Sequence, residues 1–150
     1  MGVSIRGTYH KTNSPYSLDM GYASFFRLRC VIAKHLDEEF GEHYKGLARI
    51  MYTSEEDVKA FDDKTAEILA RKGLENQRWK IKVLDFLFES DVKGCIPYSA
   101  CKRIYNLIKE EPDEARYGYE GWGDKCSTMR DFKNLLLDVY VNKGRVKWLG

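Results

Sequence analysis

A mainly helical α+β fold, with five or six helices and a small antiparallel sheet formed near the chain termini, is what this sequence predicts. Three observations carry that expectation. Most of the chain repeats its apolar residues at three- and four-residue spacing, the period of a helix that buries one face. At the start, Val3, Ile5 and Tyr9 alternate instead with Ser4, Arg6, Thr8 and His10, the period of a half-buried strand. At the end, Arg145-Val146-Lys147-Trp148 alternates in the same way. Two edge strands need partners for their backbone groups, so the ends are expected to pair. Antiparallel pairing is favoured, because parallel strands need a long crossover.

Taken in order, Gly7 falls on the inward side of the first strand and marks a bulge or a close backbone approach. Lys11-Thr12-Asn13-Ser14-Pro15 has turn composition. Tyr16 to Tyr22 reads equally as a return strand or as an irregular entry into a helix. That helix is expected from about Ala23 to Phe40, with Phe25, Leu28, Ile32 and Leu36 as its main row and Gly41 as its stop. Tyr44, Leu47 and Met51 mark a short helix. Thr53-Ser54-Glu55-Glu56 is a capping signature for the next one, which carries Val58, Phe61, Thr65, Ile68 and Leu69 on one side and ends near Gly73.

The centre of the chain, Trp79 to Ile108, reads as a helix-loop-helix. Trp79, Val83, Leu84, Leu87 and Phe88 form one apolar side, opposite Arg78, Lys82, Asp85 and Glu89. Ser90 to Gly94 breaks that helix, and Cys95-Ile96-Pro97 leads into a second one with Cys101, Ile104, Leu107 and Ile108 inward. Glu110-Glu111-Pro112-Asp113 ends it. Tyr117-Gly118-Tyr119-Glu120-Gly121-Trp122-Gly123 interleaves glycines with aromatics and cannot be regular structure. Thr128 and Asp131 then start a last helix with Phe132, Leu135, Leu136 and Val139 inward, closed by Asn142-Lys143-Gly144.

Lys93-Gly94-Cys95-Ile96 echoes Lys143-Gly144-Arg145-Val146, each following a helix end. The echo is similar, in architecture alone, to paired EF-hands, whose two loops exchange a short β-ladder after the glycine. The calcium chemistry does not follow. With Gly94 at the sixth loop position, Lys93 occupies a ligand position and Ala100 replaces the closing bidentate glutamate, so calcium binding is not expected.

At 150 residues the chain is read as a single globular domain spanning 1–150. With 43% hydrophobic and 32% charged residues it is neither disordered nor membrane-like. A net charge of +2 does not by itself imply a nucleic-acid or membrane partner. No signal peptide is read at the start, and Cys30, Cys95, Cys101 and Cys126 lack framework spacing, so a cytoplasmic protein with reduced thiols is expected.

No catalytic, cofactor or metal motif is present, and neither Ser-His-Asp, Walker A nor a C-x₂₋₄-C pair can be drawn. Cys95, Cys101 and Cys126 with His10, His35 or His43 lack the paired spacing of a zinc site. The best candidate surface is the loop holding Tyr117, Tyr119 and Trp122, because rigid aromatics bring contact area at small entropic cost. The competing reading is that Tyr117 and Trp122 fold back as core plugs. The tail after it is locally basic, with Lys125, Arg130, Arg145 and Lys147. These seven residues form the candidate binding set. The function expected is that of a non-enzymatic interaction or regulatory protein docking on a protein partner. In size and composition it is similar to bacterial and phage accessory proteins, from which no activity transfers. The alternative is a nucleic-acid-binding accessory protein using the basic, aromatic-containing C-terminal region.

If the two ends pair, deleting Arg145 to Gly150 should sharply lower the melting temperature. A truncated protein melting with the full chain would exclude the pairing.

Overall fold

The computed structural model describes residues 2–50, 52–117 and 127–150. Alternation at both ends produces strands, as expected: β1 (Val3–Tyr9) and β4 (Arg145–Leu149) pair antiparallel, with Ile5 opposite Trp148 and Gly7 opposite Val146. Two more strands complete one sheet in the order β2-β1-β4-β3, where β2 is Thr12–Met20 and β3 is Lys93–Pro97. All pairs are antiparallel. Pro15 and Pro97 lie in the two edge strands, where a missing N–H breaks no ladder.

Among the described residues, six helices of seven residues or more lie between the strands. They are α1 (Tyr22–Leu36), α2 (Glu38–Tyr44), α4 (Glu55–Arg71), α5 (Arg78–Phe88), α6 (Tyr98–Ile108) and α7 (Met129–Val141), with one helical turn, α3 (Leu47–Ile50), after α2. The α+β, mainly helical fold expected from the sequence is the fold observed. Helices α5, α6 and α7 pack on one face of the sheet, α1 packs behind α5 and α6, and α2 and α4 lie outside α1.

Several local expectations change. The first turn is shorter than Lys11 to Pro15: His10 and Lys11 both have positive φ, 48° and 63°, directly between the paired residues Tyr9 and Thr12. That is the two-residue hairpin turn whose twist matches the strands, built here without the usual glycine. Thr12 to Met20 is therefore strand, and the ambiguous stretch resolves as the end of β2. Gly7 serves both roles suggested for it. The β1–β2 register shifts there, and a Cβ on Gly7 would lie 2.5 Å from Val139 of α7.

The helix expected from Ala23 to Phe40 is broken at Asp37. Its backbone is extended and its carboxylate accepts from the Phe40 N–H at 2.9 Å, capping α2, with Glu38 and Glu39 in the first turn. Gly41 is not a stop but lies inside α2, where a side chain would meet the Lys34 backbone at 2.5 Å. Met51 lies outside the described residues. The two caps read from sequence fare differently: at Thr53-Ser54-Glu55-Glu56 the cap is Ser54 with Asp57 as the third helical residue, not a box closed by Glu56, whereas the Thr128 cap holds in full. Ser54 accepts from Asp57 N–H, and Thr128 with Asp131 forms a full capping box. Helix α4 ends in a Schellman pattern at Gly73 (φ 64°), as Leu74 N–H reaches the Leu69 carbonyl.

The central unit is not a simple helix-loop-helix, because Lys93–Pro97 is the edge strand β3. Its partner is β4, with Ile96 opposite Val146. The two echoing segments thus form the ladder that their likeness suggested. On α5 the buried residues are Val83, Leu84, Phe86 and Leu87, whereas Phe88 is 42% exposed. Arg29, unremarked in the sequence, is buried in α1. Burial lowers its pKa below the ordinary arginine value.

Trp148 joins these layers. It is 1% exposed, its ring lies 5.2 Å from Phe86 and 6.0 Å from Phe25, and its indole N–H donates to the Ser90 carbonyl at 2.8 Å. Gly94 opposite it leaves the space: a Cβ there would lie 1.9 Å from the indole ring. Gly94→Ala should therefore cost about 2–3 kcal/mol or more in urea unfolding. Adding Trp148→Phe should cost less than the sum of the two single changes, since one clash serves both. Strict additivity would show that the two residues do not compete for the same space.

A second prediction comes from α2 and α4. His43 stacks on Phe61 at 4.1 Å and its Nε2 lies 2.7 Å from the Thr65 hydroxyl. Burial, chiefly, holds its pKa below the ordinary histidine value. The unfolded chain then takes up the proton first, so this contribution is intact above about pH 6.5 and is lost as pH falls through the folded value. Between about pH 7.5 and about pH 5.5 the melting temperature should fall more for the native chain than for His43→Phe. Parallel curves would show that His43 does not titrate with folding.

Candidate functional site

Strand alternation divides the sheet's side chains cleanly. Val3, Ile5, Leu18, Met20, Ile96, Val146 and Trp148 turn to the helices and are buried. Their neighbours turn the other way, and among the described residues no element lies across them. Register then sets the outward residues in rows. One row runs Ser17, Arg6, Lys147, Cys95; the next runs Asn13, Thr8, Arg145, Pro97; and Asp19, Ser4, Leu149, Lys93 form a third. Four cations from three strands, Arg6, Lys93, Arg145 and Lys147, therefore share one open face. A shallow depression of about 840 Å³ lies over it, bordered by Arg6, Lys147, Cys95 and Lys93.

Among the described residues the counter-charges on this face are few and engaged. Asp19 holds Arg6 at 3.1 Å and accepts from the Ser4 hydroxyl. Glu89, at the edge of the depression, accepts from the Cys95 N–H at 3.0 Å. Among the described residues Lys93, Arg145 and Lys147 have no ion pair. Cations at the C-terminal end of α4 differ: Lys64 and Arg71 pair with Glu67, Arg71 also with Glu39, and the cap residue Lys72 with Asp37 and Glu39. Arg71 holds the Glu39 carboxyl down at about 2.

Of the residues singled out from sequence, Arg145 and Lys147 come together here. Arg130 does not. It begins α7, which lies on the helical side of the sheet, and is placed 3.7 Å from Asp113 and from Glu114. Tyr117 is 4% exposed and its ring lies under Arg27, whose guanidinium also donates to the Arg116 carbonyl. It packs as a core plug. Tyr117 N–H bonds the Ser127 carbonyl and Met129 N–H the Ala115 carbonyl, a narrow ladder at the base of the aromatic-glycine loop. Tyr119, Trp122 and Lys125 lie outside the described residues.

Arg6 and Lys93 were missed as site residues. The available signal was the polar phase of each strand, but its meaning depends on register, which no local pattern states. Burial raises the Cys30 thiol to about 11 and that of Cys101 to about 12, so these two offer little reactivity. Among the described residues no group of three or more His, Cys, Asp or Glu side chains is placed to hold a metal, and no helix is long and apolar enough to cross a membrane. The chain matches no protein-family model, and no curated protein or solved structure matches it either.

Proposed function

We propose that this chain is a non-enzymatic nucleic-acid-binding protein that holds phosphates on the open face of its sheet. The observation that carries the reading is the sharing of one uncovered face by Arg6, Lys93, Arg145 and Lys147, three of them without an ion pair among the described residues. Polyanion binding of this kind draws its free energy from counterion release, and needs cations in an array more than it needs a pocket. The small net charge does not oppose it, because α2 and α4 together carry nine carboxylates against three Lys or Arg. Those helices lie away from the sheet, so most of the charge that offsets the basic face sits on an acidic side, beyond Asp19 and Glu89 at the face itself.

Docking on a protein partner, the other reading of the sequence, would favour a face with an apolar or aromatic centre. Leu149 is the one large apolar residue of the three outward rows.

Replacing Arg145 and Lys147 together by Glu tests the proposal. Both are exposed strand residues, so stability should change by less than about 1 kcal/mol. Affinity for a nucleic acid should fall at least about tenfold, and the slope of log K against log salt should become shallower by about 2. Unchanged affinity and slope would remove this face from the interaction. Retention of a native partner after nuclease treatment, with no oligonucleotide binding, would return the chain to the protein-docking class.

A further inference from the structure

The cationic face carries no aromatic side chain in its outward rows, so it can hold phosphates but offers no ring on which a base could stack. The aromatics lie just beyond its edge. Pro97, opposite Arg145 in the outward row, passes directly into Tyr98, the first residue of α6. Tyr98 and Tyr140, from the end of α7, bring their rings within 6.3 Å and are 37% and 39% exposed. Lys102, one turn further along α6, places its ammonium 5.5 Å from the Tyr140 ring. On the same helix Arg103 lies 5.1 Å from the Trp79 ring. Arg103 and Trp79 line a second depression of about 580 Å³ with Arg78, Lys82, Ser99 and the same Pro97. Among the described residues no carboxylate lines it. None of Arg78, Lys82, Lys102 and Arg103 has an ion pair among the described residues.

The shoulder at Pro97 thus interleaves cations with two exposed tyrosine rings and the half-buried ring of Trp79, and it adjoins a face whose outward rows hold cations but no ring. Both halves have a use only if the ligand presents phosphates and unpaired bases together. A duplex keeps its bases stacked inside and would engage the cations while leaving the rings idle. A single strand exposes base faces, and stacking on aromatic side chains is how such strands are held without sequence readout. Guanidinium planes such as that of Arg103 add stacking partners of their own. We infer that the ligand is a single-stranded nucleic acid, its phosphates on the sheet face and its bases on the Tyr98–Tyr140 pair and the Trp79–Arg103 corner. The inference rests on the nucleic-acid reading of the sheet face and specifies the strand that reading left open.

The test compares a fluorescein-labelled single strand of about twelve nucleotides with the duplex of the same sequence, by anisotropy in low salt. Tyr98→Ala with Tyr140→Ala should weaken the single strand about tenfold and leave the duplex within about twofold, because a stacked base is the contact removed. Tyr98→Phe with Tyr140→Phe keeps the rings and should bind as the native chain does. Melting of each variant is recorded beside the binding curve. Arg145→Glu with Lys147→Glu should weaken both ligands. If the tyrosine pair proves indifferent, or weakens strand and duplex alike, the stacking shoulder is wrong while the cationic face stands. If the sheet-face variant leaves both ligands unaffected, the underlying reading fails with it.

Discussion

Trp148 is the contact on which the rest of this structure depends. It stands in a five-residue strand near the chain end, yet it touches the helices and the sheet at once. Its ring closes an aromatic cluster with Phe25 of α1 and Phe86 of α5, and its N–H ties the loop after α5 through the Ser90 carbonyl. Arg29 is drawn into the same cluster. Its guanidinium lies 4.2 Å from the Phe25 ring and 5.7 Å from Trp148, and donates to the Glu89 carbonyl at 2.7 Å. A buried cation is costly unless it is bonded and faced by π-electrons. Here the cost is offset only in part, since the buried Arg29 Nε has no hydrogen-bond partner among the described residues, and it falls where three helix and strand segments meet. Such an indole needs an opening in the neighbouring strand, and Gly94 supplies it.

The parts of this fold legible in sequence were those with a local physical cause. Thr128 and Asp131 satisfy each other's backbone within four residues, so their cap could be read without knowing the rest of the protein. Alternation at Val3-Ile5 and at Val146-Trp148 stated which side of each strand is buried. What escaped was decided by partners. Asp37 breaks a continuous apolar stripe because α2 must turn to let Phe40 and Tyr44 reach the core, and nothing in Ala23 to Phe40 demands that turn. His10 and Lys11 take left-handed conformations that their own chemistry disfavours, held by the pairing of Tyr9 with Thr12. Tyr117, its neighbours glycine-rich and polar, is claimed by Arg27 and the core.

The candidate face was half legible for the same reason. Arg145 and Lys147 could be singled out because they crowd the tail, but Arg6 lies at the opposite end of the sequence and Lys93 in its middle. Only the register β1-β4-β3 brings the four together. Net charge concealed the arrangement as well. A value of +2 reads as neutral, whereas the fold separates an acidic outer pair of helices from a basic sheet face. It is this separation that produces a field at a surface, and fields steer encounters where totals do not.

Core and face are one decision in a sheet of this kind. Because side chains alternate with period two, the register that buries Ile5 against Trp148 also sets Arg6 beside Lys147. A slip of one residue in β4 would turn Arg145 and Lys147 toward α7 and expose Val146 and Trp148 to water. Such a slip is excluded by the indole's fit against Gly94 and by the N–H bond to Ser90. The aromatic core therefore holds the cations in their rows without contacting any of their charged groups. A substitution on the outward face can change what binds while leaving this constraint intact. One at Trp148 or Gly94 weakens the face and the fold together.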